Sequence, residues 1–520
     1  MTDSDSPKAD TAVDLREEYV PVPCSYSCRL LLTSSLSSSV GKLPPAADTT
    51  QVHLDPAAEA RLRRRIDLHI LPIVSILYLF CFIDRSNIGN ARLAGFEQDL
   101  GMKGIDYNAT LSLFYVSYII FEIPSNILCK IIGPGWFLPI LTILFGGCSV
   151  ANAFVTNVPQ AMAIRFLLGI FEAGMLPGIA YYLSRWYRAS ELVFRIACYI
   201  VTAALAGAFG ALLASAILTM DSFGSLRTWR MIFGIEGMIT MALGLISLFI
   251  LTDSPATARW LTAEEKKLAE DRLRSERVSQ SQVLDRIDKK KLLRGIINPV
   301  TMATSVAFFF NNITVQGLSV FAPTIVRTIY SDRSVVQQQL YTAPPYIVGA
   351  FFTLLVPYFS WKLDNRQIFL ALCSIPTAVG YIMFLASKDL MVRYAAFFFV
   401  AALIFSYAPL SNGQVSANVV SDTARSSAIG WNVMIGNIGG LIAMWSFLPS
   451  DGPDYPIGNG INLAGQVVIM SVMYLTLLWM KRDNRGRDTR QREAEAALGN
   501  VDAEGIEDLD WKHPRFRWRI

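Results

Sequence analysis

Apolar residues in this chain are gathered into long blocks, most of them free of charge from end to end. A helix needs about 20 mainly apolar residues to cross the hydrocarbon core of a bilayer. Twelve blocks reach that length, beginning near Asp67, Asn108, Trp136, Pro159, Val193, Trp229, Pro299, Tyr341, Arg366, Met391, Ser427 and Asn462. The boundaries at Pro299, Tyr341 and Met391 are the least sharply marked. The pattern predicts an all-α polytopic membrane protein with twelve transmembrane helices. Composition agrees, since 52% of the 520 residues are apolar and 17% charged. With a mean hydropathy of +0.38, the chain is too apolar for a soluble globular protein of this length.

A charged stretch at 253–294 divides the twelve segments six and six. The expected organisation is a disordered tail at 1–60, a six-helix bundle at 61–252, a charged linker at 253–295, a second six-helix bundle at 296–480 and a tail at 481–520. Within the linker, Thr262 and Glu265 have the spacing of a capping box. It opens a short amphipathic helix with Leu268 and Leu273 on the apolar side. Arg61, Arg63, Arg64 and Arg65 precede the first segment, Arg185, Arg188 and Arg195 follow the fourth, and Lys481, Arg482, Arg485 and Arg487 follow the twelfth. The opposite flanks at 152–159 and 449–461 contain no Lys or Arg. By the positive-inside rule the basic flanks and both termini belong in the cytoplasm. Six and six crossings joined by a cytoplasmic bridge is the layout of transporters whose two bundles rock about a central site.

The formal charge of +4 fits these flanks, and no basic stripe with interleaved aromatics points to nucleic acid. Five of the seven cysteines (Cys81, Cys129, Cys148, Cys198 and Cys373) fall in or beside apolar segments, leaving Cys24 and Cys28 in a polar region. No disulfide framework is implied. The histidines His53, His69 and His513 stand near no cysteine pair, so no zinc signature arises and no metal or cofactor is expected. The Ser/Leu stretch at 30–39 is short, interrupted and preceded by acidic residues, unlike a signal peptide. Residues 17–48 read as a disordered tail or as a stretch foreign to the true product.

Function should be sought at the charges inside apolar segments. These are Asp84 and Arg85 near the end of the first, and Arg165 and Glu172 inside the fourth. An ionised side chain at mid-bilayer costs roughly 2.5–3.5 kcal/mol on insertion scales, so it normally faces a polar cavity or a partner. Seven residues apart, Arg165 and Glu172 stand about 10 Å from one another on nearly one helix face. Gly169, Gly174 and Gly178 let a neighbour approach that face, and Pro177 bends it. Arg85 offers the planar bidentate geometry that suits a carboxylate. The plainer alternatives are that Arg165 and Glu172 only tie helices together, and that Asp84 only caps a segment end at the outer interface. Glu122 and Glu236 are further buried acids, each read as near a helix end. Tyr115, Tyr118, Asn311, Asn312, Gln316, Asn432 and Asn437 are candidates to complete the pocket. Asn312 is a sequon inside a crossing, whereas the Asn108 sequon lies at an outer flank open to glycosylation. At matching turns of the two halves, Asn126 and Lys130, and Asp364 and Arg366, are candidate gate residues. An ordinary solvated turn is the alternative for each.

The motifs 84–91 (Asp-Arg-Ser-Asn-Ile-Gly-Asn-Ala), 122–126 (Glu-Ile-Pro-Ser-Asn) and 165–174 (Arg-Phe-Leu-Leu-Gly-Ile-Phe-Glu-Ala-Gly) with Pro177-Gly178, and Trp186-Tyr187 with Glu191 and Arg195, resemble the anion:cation symporter family of the major facilitator superfamily. With Pro323-Thr-Ile, Pro344-Pro-Tyr346, Gly436-Asn-Ile-Gly439, 452–456 (Gly-Pro-Asp-Tyr-Pro) and a tail from Asp510 to Trp518, the chain from about Asp55 onward is similar to the fungal allantoate and nicotinate permease branch. The resemblance implies the major facilitator fold and proton-driven uptake of a small organic anion. Glu172 and Asp84 would then serve proton coupling, and Arg85 and Arg165 anion binding. Three departures stand out: Phe82 where tyrosine is frequent, Trp361 where an acid is common, and 411–414 without the usual tryptophan. The first and third bear on which substrate is carried.

The expected mechanism is alternating access, in which a proton on Glu172, with Asp84, frees Arg165 and Arg85 for the substrate carboxylate. The expected partners are that anion, protons and the lipid bilayer, and the chain is expected to act as a monomer in the plasma membrane. A proton-coupled exporter is the rival within transport, disfavoured by the lack of proline at 203–214. A non-transporting nutrient receptor is the rival outside it. No nucleophile with base, phosphate loop or metal set suggests an enzyme.

Overall fold

The computed structural model of the chain describes residues 56–279, 289–419, 422–497, 510–514 and 516–520. The expected tail up to residue 55, with the 17–48 stretch, Cys24, Cys28 and His53, lies outside the described residues, as do 280–288 of the linker and 498–509 of the last tail.

Apolar blocks become helices because hydrocarbon offers no partner to the backbone, so every N–H and C=O must be satisfied within the segment. Twelve long helices follow: α1 (Pro56–Leu93), α2 (Asp106–Ile132), α3 (Pro134–Asn152), α4 (Val158–Ser184), α5 (Ala189–Leu218), α6 (Trp229–Ile250), α7 (Pro299–Ile329), α8 (Val335–Lys362), α9 (Arg366–Ala386), α10 (Leu390–Ala417), α11 (Asp422–Ala443) and α12 (Pro456–Ala497). Eleven are long and apolar enough to cross a membrane among the described residues, and α11 carries the shorter apolar stretch Ser427–Ala443. No named strand occurs among those residues. α4 is interrupted between Glu172 and Met175. Pro177 accounts for it, because proline supplies no N–H to the Ala173 carbonyl and its ring crowds that group. Glu172 therefore ends a helical piece.

Helices pair as α1 with α5, α2 with α4 and α3 with α6 in the first half, and as α7 with α11, α8 with α10 and α9 with α12 in the second. The halves meet where α1 lies on α7, α5 on α8 and α2 on α11. Glycine makes the closest of these approaches possible: a Cβ on Gly89 of α1 would stand 2.2 Å from the Val320 carbonyl oxygen of α7. Farther along, Asn108 donates to the Met444 carbonyl at 2.5 Å and Gln339 to the Asn90 carbonyl at 3.3 Å. All of these lie toward the end away from the described termini. Among the described residues, hydrogen bonds between the halves continue inward through Tyr115 with Gln316 at 2.8 Å and stop at Asn437 with Glu122 at 3.0 Å.

On the termini side the two halves are held differently. In the linker helix Ala263–Ser279, the capping box is complete: the Glu265 N–H donates to Thr262 Oγ1 at 3.3 Å and the Thr262 N–H to Glu265 Oε2 at 2.9 Å. That helix is tied to the first half by ions, Arg65 with Glu265 at 2.7 Å and Arg272 with Glu191 and Glu59. The second half is covered by the tail, where the Asn418 amide and Gln414 bond the Arg519 backbone and the Arg366 N–H donates to the Ile520 carbonyl at 3.0 Å.

Candidate functional site

Gly169 brings α4 against α2, since a Cβ there would lie 2.3 Å from the Phe114 carbonyl oxygen. One turn later Glu172 is fully enclosed, with 0% exposure. Arg85 of α1 reaches it, its Nε donating to Glu172 Oε2 at 2.5 Å. The rings of Phe82, Phe114 and Tyr118 surround the guanidinium at 4.9, 5.3 and 4.8 Å, an arrangement worth up to about 2 kcal/mol when desolvated. Phe82, one of the departures from the family pattern, thus serves as a face for Arg85. Tyr118 is part of this cage.

Arg165 stands two turns before Glu172 but does not pair with it. Its guanidinium lies over the Phe233 ring at 5.6 Å. The residue is 3% exposed, and its Nε and Nη2 have no hydrogen-bond partner among the described residues. Charge-assisted bonds are the strong ones, and these donors are not used by any partner among the described residues.

Asp84 is 2% exposed, which corrects its alternative placement at the outer interface: α1 continues to Leu93, and α3 and α6 cover the site. Successive helical residues point about 100° apart, so Asp84 turns away from Arg85. It accepts from Ser149 Oγ at 2.9 Å and from Thr240 Oγ1 at 3.3 Å. Nearby, Asn87 Nδ2 donates to the fully buried Glu236. From sequence, Glu236 is expected near a helix end. It faces α1 from inside α6, and Glu122 likewise lies well inside α2. Ser149 and Thr240 are not among the sequence candidates, their signal being only that they are polar residues in apolar segments, and Asn87 enters only within the 84–91 motif.

The remaining candidates divide between seam and second half. Tyr115 bonds Gln316, and Asn437 bonds Glu122, both across the seam. Asn312 packs against Gly436 and Asn432 donates to Asn412 at 3.0 Å within the second half. Asn311 contacts the Ile404 carbonyl at 3.4 Å. Asn126, Lys130, Asp364 and Arg366 make no hydrogen bond across the seam among the described residues. Lys130 lies 5.9 Å from the Tyr181 ring centroid, and Asp364 occupies the α8–α9 turn with φ +46°. Asn108, expected to be open to glycosylation, is fully buried against α11. Trp361 is exposed, and Gln414 serves the tail.

Residues 74–444 match the model of the Major Facilitator Superfamily. An uncharacterised transporter of Schizosaccharomyces pombe is 32% identical over 476 residues, 90% of this chain and 92% of that one. The high-affinity nicotinic acid transporter of Saccharomyces cerevisiae is 29% identical, over 82% of this chain and 79% of its own. Among solved structures, the partially occluded inward-open xylose transporter XylE of E. coli aligns with a TM-score of 0.61 at 16% identity, covering 78% of this chain and 98% of that one. With its helical fold, its buried ions and a match spanning most of its length, the chain belongs to the major facilitator superfamily of membrane transporters.

Proposed function

We propose that this transporter imports a small organic carboxylate together with protons, by alternating access, from the plasma membrane and with both termini in the cytoplasm. The observation that carries the reading is the enclosed Arg85–Glu172 pair with the idle donors of Arg165 on the same helix as Glu172. A substrate carboxylate competes with Glu172 for Arg85. A proton on Glu172 ends that competition, and a carboxylate entering with one proton leaves the net buried charge unchanged. Breaking the pair without either event strands a buried charge, which costs about 3–5 kcal/mol. Two guanidiniums suit a planar carboxylate better than ammonium groups would. Nicotinate, the named cargo of one relative, is such an anion.

Hydrogen bonding between the halves that ends at Glu122 and Asn437 supports a state open toward the cytoplasm. Asn126, Lys130, Asp364 and Arg366 then meet when that end closes. If protons outnumber substrate charges, each net positive charge moved inward gains about 2.3 kcal/mol per 100 mV. The test is uptake of labelled nicotinate and a panel of other carboxylates by cells expressing the chain, at acidic and at neutral outside pH. Acid-stimulated accumulation of at least one anion, lost in Arg165→Ala, supports the reading. Loss of preloaded compound without uptake of any anion sinks it in favour of export.

A further inference from the structure

α12 does not stop at the membrane but continues to Ala497, and the chain returns over its end at 510–520. Trp518 anchors the return. It is buried with Val300 and Met480, its indole N–H donates to Asp483 Oδ2 at 2.7 Å, and its backbone N–H donates to Asn484 at 2.9 Å. Between the returning segment and α12 lies a cavity of about 600 Å³ whose lining includes Trp479, Arg482, Arg487, Arg490 and Lys512. Asp483, the acid of that lining, is already engaged by Arg487 at 2.5 Å and by Trp518. Arg482, Arg490 and Lys512 make no ion pair among the described residues. Arg482 and Arg490, about 80° apart around α12, both reach the cavity. Lys512 joins them from the returning segment. Trp479 stands where the apolar part of α12 gives way to its charged end, the depth at which tryptophan marks the membrane interface.

A basic flank alone serves topology, but it does not require cations from two separate segments to converge on one cavity that begins at Trp479. We propose that this cavity binds the phosphate-bearing headgroup of an anionic lipid, with Arg482, Arg490 and Lys512 on the phosphate and Trp479 against the lipid's apolar portion. Guanidinium forks match phosphate oxygens, and each basic residue near an anionic surface contributes about 1 kcal/mol. The headgroup bridges α12 to the returning segment, whose Arg519 and Ile520 are bonded to Asn418 and Arg366. Its occupancy therefore stiffens the termini-side face of the second half. The inference needs neither the proposed substrate nor proton coupling.

The full chain, purified in neutral detergent, is heated with phosphatidylcholine, with phosphatidylserine, with a phosphoinositide, or with inorganic phosphate. The expected result is a rise in Tm with the phosphoinositide and a smaller one with phosphatidylserine, absent with phosphatidylcholine. At least half of that rise is lost in Arg482→Gln/Arg490→Gln and part of it in Lys512→Gln, while the Tm of each variant in phosphatidylcholine stays at the parent value, which shows that it folds. An equal rise in parent and double variant overturns the site, as does no rise with any anionic lipid. An equal rise with inorganic phosphate overturns the lipid assignment in favour of a soluble anion.

Discussion

Helices α1 to α6 bury Asp84, Arg85, Arg165, Glu172 and Glu236 inside the membrane part of the molecule. Among the described residues of α7 to α12 the buried ionic side chain is Arg393, paired with Asp454 at the outer edge. What the second half buries instead is neutral: Asn311, Asn312, Gln316, Asn432, Asn462 and Gln466, several of them bonded to a neighbouring polar side chain or to backbone. On the termini side the contrast does not repeat: ions hold the linker to the first half, and the tail is held to the second by amides together with an Arg517–Asp488 ion pair at 2.7 Å. Charges change state with a proton and amides do not. On the proposed function, the division puts proton coupling and the grip on the carboxylate in the first half and leaves the neutral part of the substrate to the second.

The largest effect is expected at Arg85. Arg85→Ala leaves Glu172 enclosed without a cation, at about 3–5 kcal/mol, so transport is lost and Tm falls. Adding Glu172→Ala restores much of the Tm but no uptake, and a double variant no more stable than Arg85→Ala breaks the pairing argument. Next comes Arg165→Ala, which removes a charge-assisted contact worth about 1.5–3 kcal/mol and raises KM for the carboxylate by roughly 10- to 150-fold. Gln316→Ala and Asn432→Ala remove neutral bonds worth about 0.5–1.5 kcal/mol, so KM shifts by roughly 2- to 12-fold. The shape of the pH profile stays that of the parent, and a changed profile in either variant breaks the division between the halves.

The smallest effect lies outside the membrane. Burial opposes it, but the Thr262 N–H and hydroxyl and the Arg65 guanidinium hold the Glu265 carboxyl below its ordinary value. A group with a lowered folded value contributes stability above its unfolded value, about 4.3 for glutamate. That contribution is lost as pH falls through the lower folded value. The Arg65–Glu265 tie is exposed and worth about 0.2–1 kcal/mol. Glu265→Gln therefore lowers Tm slightly at neutral pH, less at high salt, and not at all once the parent's carboxyl is protonated.

Much of this was legible in the residues. Twelve apolar blocks give twelve helices because backbone satisfaction leaves the membrane no other option. Pro177 announces the break that leaves Glu172 at a helix end, and Thr262 with Glu265 announces the linker helix. What the sequence did not reveal is who meets whom. Arg165 and Glu172 share a helix face, yet Glu172 pairs with Arg85, 87 positions away, because helix packing rather than spacing chooses the partner. The same reason hides Ser149 and Thr240 from Asp84, and Asn87 from Glu236. Asn108 misled because a sequon at a segment end looks exposed until α11 is laid against it. Tail residues 510–518 were visible as a family feature, but their grip on α12 came only with the fold.

The central claim is that Glu172 carries the coupling proton while Arg85 and Arg165 hold the anion, and proteoliposomes containing Glu172→Gln test it most directly. Glutamine keeps the shape and a neutral site. The account predicts that this variant still exchanges labelled for unlabelled carboxylate across the membrane, at a rate little affected by pH, but no longer accumulates the anion under an inward proton gradient. Accumulation by Glu172→Gln to the parent's level under that gradient would contradict it.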